Sequence, residues 1–111
     1  MGGYLTLKEN RDFRRLYSRG KSYVSPVLVT YVMKNRVRTV RTGITTSKKT
    51  GNAVCRNRAR RVIRESFRQL APSVKDGYDF VFVSRARTAY VKSTEVQSAM
   101  EEHFKKAGVL K

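Results

Sequence analysis

Acidic side chains are scarce in this sequence, and so is most of the equipment of a catalytic site. Eight Asp and Glu stand against twenty-five Lys and Arg. Cysteine and histidine occur once each, as Cys55 and His103. A lone cysteine excludes an internal disulfide and fits a reducing compartment. No Cys/His cluster has metal-ligand spacing. The acids Glu9, Asp12, Glu65, Asp76 and Asp79 show no catalytic pattern. Apolar runs are short, far below the roughly 18 residues of a membrane span. The opening Met1-Gly2-Gly3-Tyr4-Leu5 has no apolar core of the signal-peptide type. These absences predict a soluble cytoplasmic protein with no membrane partner, no metal ligands and no catalytic set of its own. No obligate protein partner is evident either.

What is present is positive charge. The 111 residues carry a formal net charge of +17, which points to a polyanionic partner, nucleic acid first. Residues 1–75 hold 19 basic and 3 acidic side chains, whereas residues 76–111 hold 6 and 5. The partner is therefore expected on the first two thirds. Disorder is excluded by eleven aromatics and abundant Val, Ile and Leu. The length suits one domain, residues 1–111, without repeats, low-complexity tracts or linkers.

Local patterning predicts a helix from Asn10 to about Tyr17, with Phe13, Leu16 and Tyr17 on one face. Its cap is either the Thr6/Glu9 capping box or Asn10, and Gly20 is its stop. Ser22 to Met33 reads as strand split at Pro26, with Val29, Tyr31 and Met33 on one face. Lys34-Asn35-Arg36 reads as a hairpin turn into a strand from Val37 to Ser47, whose polar face carries Arg41, Gly43, Thr45 and Ser47. Asn52 caps a long helix from Ala53 to Leu70, and Pro72 lies beyond it. Tyr78 to Ser84 is a buried strand. Ser93 or Thr94 caps a last helix to Ala107, with an apolar stripe of Val96, Met100, Phe104 and Ala107 and a stop at Gly108. The α-β-β-β-α-β-α order, with helices on one side of the strands, predicts a single-domain α+β sandwich.

The long helix carries the main signal. At about 100° per residue, Arg56, Asn57, Arg60, Arg61, Arg64 and Arg68 share one arc of roughly 140°. Cys55, Ala59, Val62, Ile63, Ser66 and Leu70 fall opposite, with Phe67 at the border and Arg58 apart, near Val54. The ordinary reading of such an arc is a solvated charged face. Only Glu65 offers neutralisation here, however, and arginines at i and i+4 repel by a few tenths of a kcal/mol. A stripe that costs stability in the free protein points to a bound polyanion. Guanidinium in particular matches phosphate and stacks on bases. Phe13, Tyr17 and Tyr31 are core residues on the ordinary reading. Beside an open basic groove they would instead be a stacking platform for a single strand. Cys55 is expected as a small core residue.

The stretch Ser47-Lys48-Lys49-Thr50-Gly51-Asn52-Ala53-Val54-Cys55-Arg56-Asn57-Arg58-Ala59-Arg60-Arg61-Val62-Ile63-Arg64-Glu65 resembles the signature of the bacterial ribonuclease P protein subunit. Leu7-Lys8, Asp12-Phe13, Tyr17 and Gly20 resemble that family's opening helix. The resemblance implies the protein cofactor of a ribozyme that removes the 5′ leader of precursor tRNA. Hydrolysis is then Mg²⁺-dependent and performed by the RNA subunit. The implied partners are ribonuclease P RNA and precursor tRNA. The implied fold is similar to domain 2 of ribosomal protein S5, with a left-handed β-α-β crossover, against a strong general rule. By the same resemblance, Lys48, Lys49, Arg56, Asn57, Arg58, Arg60, Arg61, Arg64 and Arg68 form the surface for the catalytic RNA. Phe13, Tyr17, Val29, Tyr31 and Thr45 form the leader cleft, with Tyr17 where phenylalanine is frequent. The residues alone leave three rivals: a ribosomal or other structured-RNA-binding protein, a DNA-binding protein with the Arg helix in a major groove, and a stand-alone nuclease.

Overall fold

The computed structural model describes residues 4–111. Met1 to Gly3, part of the opening stretch considered above, lie outside the described residues. Five strands and three helices follow in the order β1 (Tyr4–Thr6), α1 (Asn10–Arg19), β2 (Lys21–Ser25), β3 (Leu28–Lys34), β4 (Val40–Thr45), α2 (Ala53–Leu70), β5 (Tyr78–Ser84) and α3 (Ser93–Ala107). The order expected from sequence is intact behind one added strand, β1. Its three residues are too few to show an alternation.

The strands form one mixed sheet in the order β1-β4-β5-β3-β2. The hairpin expected at Lys34-Asn35-Arg36 is absent, because β5 lies between β3 and β4 and pairs with both. The intervening chain is instead held by Asn35. Its Nδ2 donates to the Thr39 carbonyl (2.9 Å) and to Asp79 Oδ1 (2.8 Å). β4 accordingly begins at Val40, and Val37 is exposed. β4 and β5 are parallel neighbours joined through α2.

The apolar run of β5 is buried on both faces, as expected of a central strand covered from two sides. Phe80 and Phe82 point toward α2 and α3, into a core with Ile63, Phe67, Met100 and Phe104. Phe67, placed at the border by helical phase, is a centre of this core, with its ring 5.6 Å from Phe82 and 6.1 Å from Phe104. Val81 points the other way, where it packs with Leu7 and Leu16 beneath α1. The helices therefore do not share one side of the sheet as expected. α1 covers part of the face opposite α2 and α3 and leaves the rest open.

The caps divide. Asn52 Oδ1 accepts from the Cys55 amide at 3.0 Å, fixing the start of α2 as the sequence predicts. Neither Thr6 nor Asn10 caps α1. The N-cap is Glu9, whose carboxylate pairs with Arg11 at 2.7 Å. Neither Ser93 nor Thr94 caps α3, which starts from an extended Lys92. Gly108 ends α3 in the left-handed region at φ 72°, as a glycine stop should. Cys55 is only half-buried, its Sγ 3.3 Å from the exposed Tyr90 hydroxyl, because the start of α2 projects past the core.

Candidate nucleic-acid interface

The open sheet face is built by strand parity. Val29 and Tyr31 of β3, Val81 and Val83 of β5, and Gly43 and Thr45 of β4 point the same way, with Thr45, Val83 and Val29 in one cross-strand row. α1 lies across this face. A Cβ on Gly43 would stand 2.5 Å from Phe13 Cζ, so glycine at this position lets the Phe13 ring lie directly on the sheet. One turn further along α1, Tyr17 meets Tyr31 edge-on, with centroids 5.0 Å apart. The Tyr17 hydroxyl shares a 2.6 Å hydrogen bond with Thr45 Oγ1. The five cleft residues named from sequence thus come together from α1, β3 and β4, and Tyr17 stays 40% exposed.

The surface continues past this row into an open trough of about 740 Å³ floored by Val29 and Val83 and flanked by Lys49, Arg85 and Arg87. Val83, Arg85 and Arg87 were missed in the sequence. The available signal was Arg85-Ala86-Arg87 directly following an apolar strand in the otherwise near-neutral third of the chain. Arg41 shares the polar face of β4 but is already engaged. Its Nε and NH2 donate to the two oxygens of buried Asp79 at 2.8 and 2.7 Å. That hydrogen-bonded pairing raises the Arg41 pKa against the opposing effect of its burial.

On α2 the arginines emerge largely as predicted. Asn57, Arg58, Arg61, Arg64 and Arg68 are exposed, while Arg56 and Arg60 are half-buried. Arg60 NH2 donates to Thr46 Oγ1 at 2.9 Å. Arg68 differs from the rest, with two hydrogen bonds to Glu65 at 3.1 and 2.7 Å. This contact raises the Arg68 pKa and lowers that of Glu65. Among the described residues, Arg58, Arg61 and Arg64 take part in no ion pair. Lys48 and Lys49 are exposed on a single 3-10 turn capped by Ser47, whose Oγ accepts from the Lys49 amide. Thr50, at the end of that turn, is buried and bonds the Ser84 hydroxyl at 2.6 Å. This anchors the basic turn to the end of β5.

The stripe and the cleft are continuous. Arg60 lines a recess with Phe13, Arg14, Tyr17 and Thr45, and Lys49 lines the trough with Val29. No three acids, cysteines or histidines among the described residues are grouped to hold a metal ion. His103 is buried in the α3 side of the core, its Nδ1 2.8 Å from Thr30 Oγ1. Burial, with help from Lys106 and against Glu102, lowers its pKa. No described helix is long and apolar enough to cross a membrane.

Fold and surface together define a small α+β protein whose cationic helix adjoins an aromatic-lined sheet face, the construction of an RNA-binding protein. The chain belongs to the ribonuclease P protein family: the model of the family described as Ribonuclease P matches residues 1–108. A ribonuclease P protein component from Clostridium botulinum (strain Loch Maree / Type A3) is 42% identical over 104 residues, covering 93% of this chain and 94% of the relative. The structure of the Staphylococcus aureus RNase P protein superposes with a TM-score of 0.83 at 33% identity, covering 96% of this chain and 97% of that one. The RNase P protein from Thermotoga maritima gives a TM-score of 0.80 at 28% identity, covering 91% and 96%.

Proposed function

We propose that this chain is the protein subunit of a cytoplasmic ribonuclease P, binding the catalytic RNA through α2 and the Lys48–Lys49 turn and the 5′ leader of precursor tRNA through the cleft. The observation that carries this reading is the meeting of Tyr17, Tyr31 and Thr45 on an open sheet face continuous with unpaired arginines. The leader is a single strand with bases free to stack, which suits Phe13, Tyr17 and Tyr31. Val29 and Thr45 form the wall, and Lys49, Arg85 and Arg87 stand where a backbone would leave the rings. The stripe of Arg56, Asn57, Arg58, Arg60, Arg61 and Arg64 suits a structured RNA, whose phosphates replace the absent acids as counter-charge. Arg68 contributes less, because Glu65 already holds it.

In this division of labour the RNA performs the Mg²⁺-dependent hydrolysis and holds the ions. The chain supplies positive charge, which lets two polyanions approach with fewer free cations, and it positions the leader. A ribosomal or other structured-RNA role without processing is not favoured, since the family and the named relatives are ribonuclease P proteins. The DNA-binding and stand-alone nuclease readings fall for the same reason. Reconstitution tests the proposal. Precursor tRNA and a bacterial ribonuclease P RNA at low Mg²⁺ should give correct 5′ cleavage only when this chain is added. Clean 5′ processing by the chain without RNA would overturn it.

A further inference from the structure

A second cavity, of about 360 Å³, opens around the sheet edge from the cleft, between α1, the β1–β4 edge and α2. Its floor is Phe67 and Phe82, its walls are Phe13 and Ile44, and Arg60 and Arg64 stand one helical turn apart beside them. No carboxylate lines it. Arg64 is in no ion pair among the described residues, and the bonding of Arg60 to Thr46 leaves its remaining N–H groups free. The Phe13 ring is held against Gly43 and so forms a fixed partition between this cavity and the cleft. A recess of this size, with aromatic walls and paired guanidinium groups beside it, suits a flat apolar ring carrying an anionic group.

We propose that this cavity receives one unstacked nucleotide of the RNA bound to α2, with the base against Phe13 and Ile44 and its phosphate on Arg60 and Arg64. The inference rests on the reading that the α2 stripe faces RNA, and it adds a base-binding site to a surface otherwise described only by charge. Structured RNAs present such bases at bulges and loops, where they can be splayed out and stacked on aromatic side chains. A purely electrostatic stripe would have no use for an aromatic recess beneath two of its arginines.

Two arms test it. First, adenosine and uridine 5′-monophosphates are titrated into ¹⁵N-labelled chain. Saturable shifts centred on Thr6, Thr42 and Ile44 are expected, weaker with the nucleosides and absent from these amides with inorganic phosphate. Shifts spread evenly along α2, or reproduced by phosphate alone, would overturn the proposal. Second, Thr6→Trp places an indole at the mouth of the cavity from an exposed position on an edge strand. Once its melting curve shows it folded, it should bind ribonuclease P RNA about fivefold or more weakly, the lower end for one stacked base. Wild-type affinity in folded Thr6→Trp overturns the RNA-nucleotide assignment, even if free nucleotides bind. If unmutated chain fails to bind the RNA at all, the proposed function falls instead. Should Thr6→Trp not fold, the titration of the unmutated chain decides alone.

Discussion

The Tyr17 hydroxyl is bonded to Thr45 Oγ1 at 2.6 Å, and this contact ties α1 to β4 across the open face of the sheet. It holds the Tyr17 ring edge-on to Tyr31, so two rings stand ready before any strand arrives. If the rings do the binding, the hydroxyl is dispensable and the ring is not. Tyr17→Phe is expected to keep affinity for precursor tRNA within about twofold, whereas Tyr17→Ala should lose roughly 1–3 kcal/mol, the value of one stacked base. Equal losses in the two variants would mean that the hydroxyl contact, not stacking, carries the site. Direct-binding titrations with the assembled RNA subunit make the comparison.

The α2 arginines should separate by their salt dependence. Each cation that meets a phosphate steepens the fall of log affinity with log salt, by about 0.7 for single-stranded RNA. Arg61→Ala and Arg64→Ala, which remove cations without ion-pair partners, should each flatten the slope for the RNA subunit by about that amount. Arg68→Ala should flatten it less, because Glu65 already neutralises that guanidinium. Identical slopes in the three variants and the parent would leave the stripe merely solvated.

Stability should depend sharply on the Arg41–Asp79 pair. Asp79 is 1% exposed, and Arg41 provides two of its hydrogen bonds. Arg41→Ala leaves that carboxylate buried with Asn35 alone, and breaking a buried pair in this way costs about 3–5 kcal/mol. Urea unfolding checks this, and a loss below about 1 kcal/mol would show that water replaces the guanidinium freely.

His103 sets a pH dependence whose sign follows from its burial. Its folded pKa is lowered, so the unfolded chain takes up the proton first as pH falls through the ordinary histidine value near 6.5. The stability of neutral His103 is therefore complete above that pH and is lost progressively below it. Between about pH 7.5 and about pH 5.5, His103→Gln should lose less stability than the parent. Parallel losses in urea midpoint would place the titration elsewhere.

The sequence was most legible where chemistry and period coincide. Asn52 before an apolar-periodic run marked the start of α2, and the arc of arginines marked its outer face. The partners of Tyr17 were less visible, since nothing local says that β5 inserts between β3 and β4. That insertion is a non-local pairing, and it is what brings Thr45, Val83 and Val29 into one row. The hairpin expected at Lys34 failed for the same reason. Arg85 and Arg87 stand out little in the sequence because positive charge is concentrated in the first two thirds of the chain, whereas the fold returns the end of β5 to the cleft. Helical phase placed Phe67 at the border because it treats the helix in isolation. The rings of Phe82 and Phe104 draw it into the core.

The central claim is that the aromatic face grips a single-stranded leader while the stripe grips the RNA subunit. The most direct measurement is the ratio of affinities for precursor and mature tRNA, taken with the assembled RNA–protein complex. It is compared between the parent chain and the Tyr17→Ala, Tyr31→Ala double variant, whose rings meet in the cleft and do not line the α2 cavity, after melting curves show the variant folded. The account predicts that the variant loses most of the preference for precursor while binding the RNA subunit nearly as well as the parent. A folded variant that still prefers precursor by the parental ratio would contradict it.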